Sequence, residues 1–431
     1  FDRLKILRDS DTVIDTVTPK PYFADGAVSV YQHDVNGDGK LVAAQGDKVY
    51  LYIGMRRGGQ LIYALDVSDP DNPKFMWKVD QNTVHTDGTK PFAKLGQTWS
   101  TIRAATIKAH TGPVVIFGGG YDPTAEDPQP PATNTMGQGI YVLDAVSGKF
   151  LKHIAPTGMG AIPADLTFLD RDTDGKFDRI YAPDTKGNVW RIDIHDADMT
   201  KWASHKIASF GGTGADGRKF LNKVDVVLGK TFDAVLVGSG DREHPFETTI
   251  VDRFYMLQDP NVGLTGGLFC GDPASATKST CTHADLTDVT SNAYQNSSLP
   301  AGTRGWYLSF GAGEKLVSNP ITVFGTLIFG TNKPRPSTDG NTCGNLGEAR
   351  LYQLDFRTAG AGQDTNGEGL VNADDRSAEV AGGGYLPSAV YSPVMIDDKR
   401  RDVVCVGTRC FKPGGAKFDT RRHRTYWFKQ Q

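Results

Sequence analysis

Six times along the chain, a short apolar strand ending in or near glycine is followed by an aromatic strand, most often closing in Leu-Asp or Ile-Asp. The pairs are residues 50–54 with 62–66, 114–118 with 140–144, 179–182 with 189–193, 234–238 with 254–258, 326–330 with 351–355 and 403–407 with 425–428. β-Branched and aromatic residues suit a pleated, half-buried surface, and glycine punctuates the turns between strands. Several pairs continue through a turn into a third strand, as residues 145–148 do into 150–154 and 67–70 into 75–77. A unit of this kind cannot bury its own faces, so copies must stack, which is the grammar of propeller blades. The central aromatics Tyr63, Tyr141, Trp190, Tyr255, Tyr352 and Tyr426 lie between 49 and 97 residues apart. A regular blade takes about 40–50 residues. Long insertions must therefore interrupt the wheel, at 122–138, 259–305 and 357–384. The expected fold is all-β: one modified β-propeller of about six to seven irregular blades spanning 1–431. A β-sandwich is the competing architecture, and six matched copies argue against it.

Bulk properties remove several function classes. With 47 basic and 50 acidic residues, the net charge of −3 gives nucleic acid no electrostatic footprint. Apolar runs such as 114–117 are far shorter than the roughly 20 residues of a spanning helix, so no transmembrane segment is expected. The chain opens on Phe1 without a basic-then-apolar leader, which reads as a fragment of something larger. Of five cysteines, Cys270 with Cys281 and Cys405 with Cys410 have spacings that suit local disulfides and an oxidising compartment. Cys343 is then left over, and spacing alone leaves the connectivity open.

The strongest chemical signal is the loop 170–178, Asp-Arg-Asp-Thr-Asp-Gly-Lys-Phe-Asp. Calcium is a hard cation that takes six to eight oxygens, and carboxylates at alternate positions wrap one chain around it. Asp170, Asp172 and Asp174 are expected to give side-chain oxygens and Lys176 its carbonyl, with Asp178 binding directly or through water. Gly175 permits the sharp turn. An Asp/Gly-rich surface turn is the bland alternative, but four carboxylates in nine residues repel one another without a cation. A second candidate, 364–375, offers oxygens from Asp364, Asn366, Glu368, Asn372 and Asp375 and the carbonyl of Leu370. It resembles dockerin calcium loops with Glu368 in place of a shorter Asp, and an insertion tip shaped by Asn-Gly turns is an equal alternative. A third, beginning at Asp34, places Val42 at position nine and Gln45 at position twelve, so a plain turn is the better reading there.

Catalytic signatures are missing from the sequence: it holds no GxSxG, HExxH or GxxxxGK[ST] pattern. Residues 241–244, Asp-Arg-Glu-His, form the most chemical-looking cluster; His244 could act as a base beside Glu243, and a blade-edge turn with a polar network explains the cluster better. The aromatic blades also resemble those of quinoprotein alcohol dehydrogenases. Those enzymes carry adjacent cysteines against the quinone, and this chain has no such pair.

Taken in order, further motifs resemble one family. These are residues 54–59 with 62–70, 96–100, 117–122, 178–181 with 187–193, 238–245, 252–255, and 305–307 with 313–315. Together they are similar to the C-terminal domain of the PilY1/PilC type IV pilus tip proteins. The resemblance implies a modified propeller on a secreted, surface-exposed protein that acts in pilus biogenesis, twitching motility and adhesion. It implies minor pilins and host-surface receptors as partners, and calcium in the loop of Asp170, Asp172, Asp174, Lys176 and Asp178, with occupancy linked to pilus extension and retraction. No Arg-Gly-Asp occurs here, so integrin binding is not carried over. A purely structural propeller that docks minor pilins is the rival within the same family.

Overall fold

The computed structural model of the chain describes residues 22–128, 131–264, 270, 279–291, 294–295, 297–335, 346–396 and 399–413. Two compact units meet in the sequence between Asp165 and Leu166, and each is built of sheets formed by consecutive stretches of chain.

In the first unit, β1 (Val28–His33), β2 (Lys48–Gly54), β3 (Leu61–Asp66) and β4 (Lys74–Asp80) make one antiparallel sheet in that order. A second follows from β5 (Arg103–Ala105), β6 (Val114–Gly118), β7 (Ile140–Asp144) and β8 (Phe150–Ile154). All five residues of β6 are buried, as its unbroken apolar run requires. Tyr52, Ile62 and Trp77 of the first sheet pack with Phe117, Tyr141 and Leu143 of the second. Each such side chain contributes about 1.5–3 kcal/mol by leaving water. The tyrosine hydroxyl of Tyr52 and the indole N–H of Trp77 both donate to the carbonyl of Ala145, at 3.1 and 3.0 Å. That carbonyl belongs to the turn after β7, where Asp144 Oδ1 accepts the amides of Val146 and Ser147. Gly148 closes the turn at φ 69°, and a Cβ there would stand 2.6 Å from the Trp77 ring. The stretch 122–138 is pinned across its base: Asp122 caps the short helix α1 (Pro123–Glu126) and also accepts the amides of Thr135 and Met136.

The second unit starts with β9 (Thr167–Leu169), β10 (Arg179–Pro183), β11 (Asn188–Asp193) and β12 (Ala203–Ser209). Next come β13 (Asp225–Val227), β14 (Asp233–Gly238), β15 (Arg253–Asp259), β16 (Thr287–Asp288) and β17 (Gly305–Ser309), where β16 runs parallel to β17. The fifth sheet contains β18 (Lys315–Leu316), β19 (Ile321–Val323), β20 (Thr326–Lys333), β21 (Glu348–Asp355) and β22 (Ser377–Val380). The sixth contains β23 (Val390–Ile396), β24 (Lys399–Val406) and β25 (Arg409–Phe411). Between the fourth and fifth sheets the rings of Phe254 and Phe329 stack 4.2 Å apart, and Trp306 donates to the Phe356 carbonyl at 2.9 Å.

Five of the six repeat pairs fall on adjacent strands in one shared register. Tyr63 faces Ile53, Tyr141 faces Phe117, Trp190 faces Ala182, Tyr255 faces Val237 and Tyr352 faces Phe329. The sixth apolar strand is β24, and its expected aromatic partner at 425–428 lies outside the described residues. Of the stretches read as insertions, 259–305 supplies β16 and 357–384 supplies β22. Both strands are too short to show a period. Cys270–Cys281 and Cys405–Cys410 are disulfides, while Cys343 lies outside the described residues. Among the described residues no helix is long and apolar enough to cross a membrane.

Candidate metal centre

Residues 170–178 link β9 to β10 as a hairpin loop. Arg179 pairs with Leu169, and the Asp178 amide donates to the Leu169 carbonyl at 2.8 Å, so the sheet fixes both ends. Within the loop Asp170, Asp172 and Asp174 each bring a carboxylate oxygen within 4.8 Å of the others. Among the described residues this is the one acidic, His or Cys group that converges so closely. Backbone amides set the side chains: Gly175 donates to Asp170 Oδ2, Asp174 to Asp172 Oδ1 and Lys176 to Asp174 Oδ1, at 2.9, 3.2 and 2.9 Å. Gly175 sits at φ 85° with open space around its Cβ position, so backbone conformation and not crowding calls for glycine. Thr173, a β-branched residue, is held at φ 61°, which costs of order 1–3 kcal/mol.

Asp170 Oδ1 is buried, and no donor meets it in good hydrogen-bond geometry, the Thr173 amide making only a weak approach to the carboxyl. Burial raises the Asp170 carboxyl above its ordinary range against the pull of the Gly175 and Thr173 amides, and the charges of Asp178 and Asp174 add to the rise. A buried carboxylate oxygen without a donor is costly. A donor set made only of hard oxygens, with one of them buried and unsatisfied, fits a calcium-like cation.

Asp178 plays a different part from the converging three. It is 1 % exposed, and its Oδ2 accepts the amides of Arg171 and Asp172 at 2.8 and 3.4 Å. It thus closes the loop from inside. Lys176 donates its amide to Asp174, and its carbonyl is the backbone oxygen expected to face the cation.

The loop 364–375 has a related frame. Asp364 accepts the amides of Gly367 and Gly369 at 2.6 and 2.8 Å, and Asn366 accepts that of Glu368 at 3.1 Å. Asp375 is fully buried and accepts the amides of Thr365 and Asn366 at 2.7 and 3.3 Å. Glu368 takes a hydrogen bond from Asn372, Asn372 Oδ1 caps Asp374, and Leu370 is 70 % exposed. Its carboxylates do not form the close trio seen at 170–174.

The loop beginning at Asp34 holds a residue that sequence reasoning missed. Asp34 accepts the amides of Gly37 and Gly39, both at 2.8 Å. Asp47, 1 % exposed, accepts those of Val35 and Val42, and these donors hold its carboxyl below the usual range. In all three loops the residue after the first Asp donates its amide to a buried closing Asp: Arg171 to Asp178, Thr365 to Asp375, Val35 to Asp47. Asp47 stands at position fourteen of its loop, two beyond the twelfth position that closes the loop of Asp364.

The 241–244 cluster is a polar turn in which His244 meets Asp241. His244 Nδ1 lies 2.9 Å from Asp241 Oδ2, which also meets Lys219 Nζ at 2.9 Å. Asp241 and Lys219 are both buried, so the carboxylate is committed to an internal ion pair.

Repeated sheets in one strand register, with an oxygen-lined loop on one sheet hairpin, define a propeller-type module. The chain belongs to the PilY1 family: the family model described as the PilY1 beta-propeller domain matches residues 16–237. It is 24 % identical over 416 residues to a type IV pilus biogenesis factor PilY1 homolog of Xylella fastidiosa, covering 84 % of this chain and 25 % of that protein. It is 28 % identical over 144 residues to type IV pilus biogenesis factor PilY1 of Pseudomonas aeruginosa, covering 32 % of this chain and 11 % of that protein. The chain therefore spans a quarter or less of the length of these relatives. Among solved structures, the C-terminal domain of P. aeruginosa PilY1 superposes with a TM-score of 0.64 at 18 % identity, covering 90 % of this chain and 83 % of that one. This likeness concerns the fold.

Proposed function

We propose that this chain is the calcium-binding C-terminal propeller of a type IV pilus tip-associated protein, acting as one module in pilus biogenesis, twitching motility and adhesion. Family membership supports the pilus assignment, and the two disulfides suit a secreted, surface-exposed protein. The observation that carries the calcium reading is Asp170 Oδ1, buried without a well-aligned donor beside the converging carboxylates of Asp172 and Asp174. In this reading Asp170, Asp172 and Asp174 hold the ion with the Lys176 carbonyl, and Asp178 completes the set directly or through water. The ion neutralises the trio and fixes the β9–β10 hairpin. Its occupancy then bears on the balance of pilus extension and retraction. Minor pilins are the proposed partners at the pilus tip, with host-surface receptors as adhesion targets.

Calorimetric titration with calcium tests the assignment. The exposed positions are the informative ones, because Asp178 also closes the loop. Asp172→Ala with Asp174→Ala should abolish binding at this loop while circular dichroism stays that of the parent. Wild-type affinity in that variant would remove the site. Unchanged piliation and twitching in cells carrying it would favour the purely structural docking role.

The frame of 364–375 supports a second, weaker cation loop using Asp364, Asn366, Glu368, Leu370, Asn372 and Asp375. The buried Asp375 that closes it, as Asp178 closes the first, is the observation in its favour.

A further inference from the structure

We infer that Arg171 and Arg179 are positioning residues that couple the cation loop to the segment leaving β15, so that filling the loop tightens residues 259–264. The inference rests on the calcium reading of 170–178 and extends it to a responding element.

Arg171 stands at the second position of the loop, between Asp170 and Asp172, and Arg179 directly follows Asp178. The carboxylates of Asp172 and Asp174 face solvent, yet the two guanidinium groups run inward, with side chains 10 % and 1 % exposed. Arg179 Nη1 donates to the Asn261 carbonyl and Nη2 to that of Gly263, each at 2.7 Å. Arg171 Nε donates to the carbonyl between them, on Val262, at 3.0 Å, and Nη2 reaches the same oxygen. Three consecutive carbonyls of one segment are thus capped by two arginines, one inside the loop and one directly after it.

The same arginines belong to a buried charge network with no surplus. Arg171 meets Asp233 at 2.9 Å, Arg179 meets Asp193 at 2.9 Å, and Arg191 meets Asp193 and Asp259 at 2.8 and 3.2 Å. Three guanidinium groups balance three carboxylates, and Asp233, Asp259 and Arg191 are each no more than 1 % exposed. Asp233 Oδ2 makes no hydrogen bond, and Arg179 stands 3.8 Å from it. The carboxylate therefore depends on Arg171, a residue of the loop, for its close guanidinium partner. Asp259 is the last residue of β15 and accepts the Asn261 amide at 2.9 Å, so network and segment are continuous.

The coupling follows from these contacts. Without a cation the converging carboxylates repel, and the backbone on both sides of Arg171 samples more conformations. A cation that fixes Asp170 and Asp172 fixes the Arg171 backbone between them. Its guanidinium then holds the Val262 carbonyl with less entropy left to lose. Linkage is reciprocal, so weakening the guanidinium clamp must also weaken cation binding.

Hydrogen–deuterium exchange on the whole chain, with saturating calcium or with chelator and magnesium, tests this beside calorimetry on the same sample. Calcium should slow exchange in 259–264 by about fivefold or more, with β20 amides as the unchanged control. Calcium binding with no change in 259–264 overturns the coupling and leaves the site standing. No calcium binding at all overturns both. Arg171→Met should keep calcium-dependent protection at Gly175 and Lys176, lose it at 259–264, and bind calcium about tenfold more weakly. Arg171→Lys, which lacks the planar fork, should recover only part of the difference. A purely structural role would change exchange equally with and without calcium, and that outcome counts against the inference. If Arg171→Met does not fold, Arg171→Met with Asp233→Asn removes both buried charges and allows the same comparison.

Discussion

Arg171 Nη1 lies 2.9 Å from Asp233 Oδ1, so a residue of an exposed loop neutralises a carboxylate that has no exposed surface. Replacing Asp233 by leucine leaves two guanidinium groups facing an apolar side chain. Breaking a buried pair in this way costs about 3–5 kcal/mol, whereas removing both partners is often close to neutral. Urea unfolding should show that loss for Asp233→Leu and recovery of most of it in Arg171→Met with Asp233→Leu. A single variant within about 1 kcal/mol of the parent would mean that the pair carries little of the fold.

Asp252 gives the unit a pH dependence of definite sign. Burial pushes its carboxyl up to about 6, against the hydrogen bond from Ser239 Oγ at 2.6 Å and the charge of Lys315. The unfolded carboxyl titrates near 3.9. Between those values the folded state binds more protons than the unfolded one, so stability falls as pH rises. The contribution is whole below about pH 4 and is lost as pH passes 6, a change of about 3 kcal/mol. Asp252→Asn, which keeps an oxygen for Ser239, should flatten this slope and be the more stable protein at pH 8. The check is denaturant unfolding at pH 4.5 and pH 8, and equal pH slopes in variant and parent would remove the assignment.

The stacked pair Phe254 and Phe329 tests the packing of the fourth sheet on the fifth. Both are fully buried, and their rings lie 9° from parallel. Phe329→Ala should cost about 3–5 kcal/mol, read by the same unfolding measurement, and Phe329→Leu less than half of that. A loss below about 1 kcal/mol would show that neighbouring side chains close the space.

How much of this was legible follows the range of the interactions. The five described strand pairs were visible because antiparallel neighbours close in sequence carry their pattern locally, down to Tyr63 opposite Ile53 and Tyr352 opposite Phe329. β16 and β22 were hidden inside stretches read as insertions, since two and four residues cannot display alternation. The trio Asp170, Asp172 and Asp174 was legible because alternate loop positions converge through local amides. The separate role of Asp178 was not, because burial decides it. Arg171 could not be read at all: its partners Asp233 and Val262 lie 62 and 91 residues away, and nothing local marks the position. Asp47 is legible in principle, because a closing carboxylate at position fourteen is still local to Asp34.

Calcium should separate the acidic positions by what each does without the ion. At free calcium a hundredfold above its dissociation constant, a single site adds about 2.7 kcal/mol to the native state. Asp172→Ala removes an exposed carboxylate, so it should lose the calcium-dependent rise in melting temperature and match the parent in chelator. Asp178→Ala removes the acceptor of the Arg171 amide, so it should be less stable than the parent in chelator too, by about 1–3 kcal/mol. Asp364→Ala addresses the second loop: calorimetry should count two ions in the parent and one in that variant, with the tighter site retained. Thermal unfolding of the three variants with and without calcium makes the comparison. Equal behaviour of Asp172→Ala and Asp178→Ala in chelator would contradict the closing role given to Asp178 by its buried hydrogen bonds.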